Sequence, residues 1–317
     1  MDRFSLRGLQ AATHAPLHPD GSLNLAAVER QCAHLLERGV PAVFVNGSTG
    51  EGHSLTAGER RQVAERWSDV VRGTSLRVVV HVGANSLADA AGLAAHAAAG
   101  GAAAVAMLAP SYYRPASLAD LVACCAQVAA AAPALPFYFY DIPALTGVSL
   151  PMEEFLLVAP ERIPNFAGIK FTNPDLMAYQ LALRAAGGRF DLPWGCDETY
   201  LAALALGARG AIGSSFNFAP GVYQRMEAAF AAGDLGTARM EQLRSVQLIR
   251  ALARHGYLGA AKALMGHLGV PVGPARLPNR NLDAPAWKAL LAELEAIGFF
   301  MWRDSPPAAA RSPGSSA

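Results

Sequence analysis

Residues 42–82 read AVFVNGSTGEGHSLTAGERRQVAERWSDVVRGTSLRVVVHV. Ala42–Asn46 is a short apolar run, as expected of a strand covered on both faces. Thr56 and Glu59 stand three apart, the spacing of a capping box, and open a helix to about Val71 with Gly73 behind it. Arg77–Val82 is a second apolar run. Strand, helix and strand within about forty residues form one βαβ unit, and such units build parallel sheets.

The same unit recurs outward in both directions. Further apolar runs lie at Leu9–Thr13, Ala103–Leu108, Phe137–Asp141, Ala167–Phe171, Phe190–Trp194 and Gly210–Ser214, which makes eight expected strands. Helix-period segments separate them. Residues 24–38 carry an apolar stripe stopped by Gly39, and Ser86 with Asp89 and Ser117 with Asp120 repeat the hydroxyl cap. Eight alternations by about residue 232 predict an α/β fold of the (β/α)8 TIM barrel type. No dinucleotide glycine fingerprint supports a doubly wound sheet instead. Beyond residue 232 the strands stop. Segments 234–255, 257–268 and 284–297 read as helices, so the expected organisation is a barrel over 1–232, a C-terminal helical extension over 233–300, and a disordered tail over 301–317.

Composition narrows the function classes. The 317 residues are 52% hydrophobic and 16% charged, with net charge +1. Such a chain buries a large core and offers no electrostatic footprint for nucleic acid or an acidic membrane. The opening MDRFSLRGLQ lacks an apolar signal core, and the apolar stretch 97–109 is too short to span a bilayer. Four cysteines without CxxC spacing fit a reducing, cytoplasmic compartment. Eight histidines show no metal spacing, and no GxSxG elbow occurs.

Five features carry possible chemistry. Lys170 lies inside an apolar strand, although only three of the 26 basic residues are lysines: Lys170, Lys262 and Lys288. Burial lowers a lysine's pKa and creates a neutral amine nucleophile; a strand-end lysine that snorkels to water is the bland alternative. Gly47-Ser-Thr-Gly-Glu51 follows the second strand and offers hydroxyls and free N–H groups suited to a carboxylate, or serves only as a βα turn. It lacks the lysine of a phosphate-binding loop. Tyr140 sits near the C-terminal end of the fifth strand, where its phenol could relay a proton or simply fill the core. Gly195-Cys-Asp-Glu198 and Gly213-Ser-Ser-Phe-Asn217 follow the seventh and eighth expected strands, where they could bind sugar-like hydroxyls or cap helices. His81 reads as a satisfied core histidine.

In order and spacing, GSTGE, Tyr140-Asp-Ile-Pro143, Gly168-Ile-Lys170, GCDE and GSSFN resemble the dihydrodipicolinate synthase/N-acetylneuraminate lyase superfamily over roughly residues 5–300. Phe44–Glu51, Arg60–Trp67, Ala130–Phe137, Ile142–Gly147 and Gly273–Pro278 are similar to its sialic acid lyase branch, particularly that of animals. The synthases carry an arginine two residues beyond the YxxP proline to grip a dicarboxylic product. Leu145 stands there in this sequence.

The resemblance implies a class I aldolase that cleaves N-acetylneuraminate reversibly to N-acetylmannosamine and pyruvate. It needs no cofactor beyond a covalent imine on Lys170, and it works as a homotetramer. Tyr140 is then the proton relay, and Ser48 and Thr49 bind the keto-acid carboxylate. Tyr112 reaches a neighbouring active site. Gly47, Leu145, Thr172, Gly195, Asp197, Glu198 and Ser214 line the substrate side. The alternatives are another pyruvate-dependent aldolase or synthase of the superfamily, or a non-catalytic sugar-acid-binding barrel. Asp141, Asn173-Pro174 and Cys196 depart from the family pattern.

Overall fold

The computed structural model describes residues 5–303. The seven strands are β1 (Gly8–Ala12), β2 (Ala42–Val45), β3 (Arg77–His81), β4 (Ala104–Leu108), β5 (Phe137–Asp141), β6 (Phe166–Phe171) and β7 (Gly210–Gly213). All pair in parallel, in the order β6-β5-β4-β3-β2-β1-β7. Helices cover the outside of this curled sheet, giving the α/β TIM-barrel fold expected from the alternation.

One expected strand is not regular. Phe190–Trp194 makes only isolated bridges, Asp191 to Gly168 and Trp194 to both Phe171 and Ala211. The reason is local. Pro193 has no N–H to donate to the ladder. The Leu192 carbonyl is taken by the Tyr179 hydroxyl at 2.8 Å. What remains still joins the two sheet edges. Ile169 and Phe171 donate to the carbonyls of Asp191 and Pro193 at 2.9 Å, and Trp194 exchanges bonds with Gly210 and Ile212.

Strand alternation sorts side chains into two separate cores. Phe44, Val79, Ala104, Ala106, Tyr138, Tyr140 and Ile212 fill the barrel interior. Val43, Val45, Val78, Val80, Phe137 and Phe139 point outward into the layer shared with the helices, as does Trp67 from its helix. Covering both faces explains why the strands read as unbroken apolar runs. At the closed end of the interior, the Asp191 carboxylate accepts from Tyr138 Oη at 3.0 Å and from the Leu6 N–H.

The helix signals read from the sequence are present. Thr56 and Glu59 form a reciprocal capping box on Ala57–Val70, and Ser86 and Ser117 cap Leu87–Ala99 and Leu118–Ala129. The extension consists of Leu235–Arg254, Tyr257–His267 and Ala284–Ala296. Arg225 on the barrel helix Pro220–Ala231 binds Glu241 of the extension through two bonds of 2.9 Å, both side chains buried. Of the expected tail over 301–317, only residues 301–303 are described. Phe299–Trp302 is a helical turn with Trp302 buried, because its indole N–H finds the Ile297 carbonyl at 2.8 Å. Residues 304–317 lie outside the described part.

Candidate active site

The β5–β6 register places Tyr140 directly beside Lys170, with both side chains inside the barrel. Lys170 Nζ sits 4.0 Å from the ring centroid of Tyr140 and 4.0 Å from that of Phe44 on β2. The residue is only 3% exposed. Burial pulls its pKa from 10.5 down to about 7, against the opposing field of Asp197. At neutral pH a large share of the amine is therefore unprotonated and nucleophilic.

The same burial acts on stability. In the unfolded chain the lysine titrates at its ordinary value of 10.5, and in the fold at about 7. Folding expels a proton between those values, so the penalty is full below pH 7 and fades as pH rises toward 10.5. Lys170→Met is expected to melt several degrees above the parent chain at pH 7, and the gap should close by pH 10. Equal melting points at pH 7, by calorimetry, would mean the ammonium is paired or hydrated after all.

Tyr140 is buried, and burial pushes its hydroxyl up to about 12, with the Ser48 and Thr172 hydroxyls pulling the other way. It is thus a neutral phenol at pH 7, with Ser48 Oγ 3.5 Å from its oxygen. The loop that presents Ser48 and Thr49 turns back on itself. Glu51 N–H donates to the Ser48 carbonyl, and Gly52 N–H to that of Gly47, each at 3.1 Å. Asn46 and Glu51, at φ of 61° and 50°, make the two bends.

The opposite wall comes from the segments after the irregular strand and after β7. Asp197 is buried, and its carboxylate accepts from the Ser215 N–H at 2.9 Å and from the Ser215 hydroxyl. Burial raises its pKa to about 6, with the Ser215 bonds opposing. It stays largely ionised at pH 7 and supports positive charge on Lys170. Two glycines make room for this arrangement. A Cβ on Gly195 would lie 1.8 Å from Thr172 Oγ1, and one on Gly213 would lie 2.0 Å from Asp197 Oδ1. Glu198 is exposed and free to meet a ligand, and Ser214 Oγ lies 2.7 Å from Tyr257 Oη.

These groups surround a cavity of about 540 Å³. Of the residues singled out in the sequence, Ser48, Thr49, Tyr140, Lys170, Thr172, Gly195, Asp197, Glu198 and Ser214 line it. Gly47, Tyr112 and Leu145 do not. Gly47 packs against the Phe44 ring, while Tyr112 is 78% and Leu145 64% exposed. Tyr257, Asn279 and Arg280, which the helical extension brings to the cavity, are not among the residues singled out in the sequence. Their distance along the chain gave no local signal. His81 is buried, with Nδ1 3.1 Å from the Asn46 carbonyl and Nε2 accepting from the Leu108 N–H.

Residues 5–297 match the model of the dihydrodipicolinate synthetase family. The chain belongs to this family. Within the family it is similar to N-acetylneuraminate lyase of Gallus gallus, 40% identical over 306 residues that cover 95% of this chain and 98% of the relative. N-acetylneuraminate lyase of Homo sapiens is 39% identical over 303 residues, covering 94% and 95%. Among solved structures, the Proteus mirabilis N-acetylneuraminate lyase superposes with a TM-score of 0.90 at 38% identity, covering 93% of this chain and 100% of that one.

Proposed function

We propose that the chain is a Schiff-base aldolase that cleaves N-acetylneuraminate reversibly to N-acetylmannosamine and pyruvate. The observation that carries this reading is Lys170, a buried amine with a pKa of about 7, beside the Tyr140 phenol in a cavity with a polar far wall. The similarity to N-acetylneuraminate lyases across nearly the whole chain supports the choice of substrate.

Neutral Lys170 attacks C2 of the open-chain keto acid, water leaves, and one proton taken up from solvent makes the protonated imine. Backbone N–H groups around Ser48 and Thr49 hold the substrate carboxylate. Tyr140 takes the C4 hydroxyl proton as it passes its own to that carboxylate. The C3–C4 bond then breaks. Its electrons form the enamine, and C4 leaves as the aldehyde of N-acetylmannosamine. A proton returns to C3, and water hydrolyses the imine to pyruvate and free Lys170. Asp197 stabilises the positive imine through its field. Glu198, Thr172 and Ser214 bind sugar hydroxyls and reject partners that would leave these polar groups unpaired.

The reading extends to the assembly, a homotetramer in which exposed Tyr112 enters a neighbouring site, and to a reducing cytoplasmic compartment that suits four free cysteines. The test is a substrate panel. N-acetylneuraminate should be cleaved with a kcat/KM at least tenfold above any 2-keto-3-deoxy sugar acid, and pyruvate with aspartate semialdehyde should give no product. A reversed preference would replace the substrate while keeping the reaction class. Light scattering on the same preparation should give four times the chain mass; a monomer would remove the role of Tyr112.

A further inference from the structure

Two of the three lysines in this chain are buried, and the mechanism uses only one. Lys262, on the extension helix Tyr257–His267, is 2% exposed, and its Nζ donates to Glu51 Oε1 at 2.7 Å. Glu51 is equally enclosed, and it closes the turn that presents Ser48 and Thr49. Its other oxygen accepts from the Arg276 backbone N–H at 2.6 Å. Glu51 thus spends its carboxylate wholly on the extension, while its own N–H holds the Ser48 carbonyl at 3.1 Å. The Arg276 guanidinium ties the same region down again, donating to Glu59 Oε2 and the Ser54 carbonyl at 2.9 Å. His14 beside Lys262 is buried and kept neutral, its pKa driven to about 3 by burial and then by the Lys262 charge.

A residue at φ of 50° that is not glycine sits in a sparsely populated conformation. It persists where its surroundings over-determine it, and here the extension does so from 211 residues away. We propose that Lys262 is a positioning residue: through Glu51 it sets the backbone of the Ser48–Thr49 loop and so fixes where the keto-acid carboxylate binds. The helical extension is then part of the pyruvate half of the site as well as a wall of the cavity. This rests on the aldolase reading given above.

The variants are Lys262→Met and the double variant Lys262→Met/Glu51→Gln, in the full chain. The single variant leaves a buried, unpaired carboxylate and is expected to lose stability. The double variant removes both charges while the amide keeps a partner for the Arg276 N–H, so it should fold. In the condensation direction the double variant should raise KM for pyruvate about tenfold, since small displacements at a binding group have effects of that order or larger. KM for N-acetylmannosamine should stay within about twofold by the same reasoning. Borohydride reduction with saturating pyruvate should still label Lys170. A folded double variant with an unchanged pyruvate KM, or with both KM values raised alike, overturns the proposal. Failure of the parent chain to be labelled at Lys170 would instead sink the aldolase reading itself.

Discussion

Lys170→Ala is expected to abolish turnover and to remove the adduct that borohydride would trap with pyruvate. The expected loss in kcat is on the order of 10⁴-fold or more, because a covalent nucleophile has no substitute once removed. Lys262 offers no rescue. Its ammonium is engaged by Glu51 and lines no part of the cavity. Lys288 is on the outer helix Ala284–Ala296. In the parent chain the trapping rate should rise with pH up to about 7 and then level, since the amine frees its proton around that value. Mass spectrometry on reduced, digested protein reads both results. An adduct that survives on the alanine variant would move the chemistry elsewhere, and a pH profile flat from 5 to 9 would show that deprotonation of this amine does not control the step.

Tyr140→Phe separates the two halves of the mechanism. The ring stays, so the contact with Lys170 Nζ at 4.0 Å and the edge contact with Phe44 stay with it. The lost hydroxyl is the proposed proton relay. Turnover should fall by about 10² to 10⁴-fold, the range of a positioned acid–base group, while imine formation with pyruvate at Lys170 persists. Stability should change little, because the bond between the Tyr140 hydroxyl and Ser48 is a long 3.5 Å. Unchanged turnover would remove Tyr140 from the reaction. Loss of the imine together with turnover would make its role the preparation of Lys170.

The legibility of the fold follows from covering both faces of every strand. Val78, Val79 and Val80 are all buried, two outward and one inward, and a run of this kind is visible without knowing its neighbours. Phe190–Trp194 looked the same and behaves differently. Its ladder depends on a donor that Pro193 lacks and a carbonyl that Tyr179 claims. The second of these is a tertiary event that no local pattern records. The site divides along the same line. Lys170 and Tyr140 stood out because a lysine in an apolar strand and a tyrosine at a strand end are locally odd. Lys262 was noticed only for its rarity, since its partner Glu51 lies 211 residues away. Tyr257 and Arg280 looked ordinary, because nothing in their own segments tells that they line the cavity.

The contact between Gly213 and Asp197 constrains how this site can evolve. A Cβ at position 213 would sit 2.0 Å from Asp197 Oδ1, and the backbone N–H two residues on holds that same carboxylate. A larger side chain at position 213 therefore displaces this carboxylate from Ser215, unless position 197 has already given it up. A change at 197 meets no such barrier from 213. The order in which the two residues change therefore matters. A relative that varies at 213 while keeping the aspartate has to turn that carboxylate away from β7 or move the strand, and turning it gives up the bonds from Ser215.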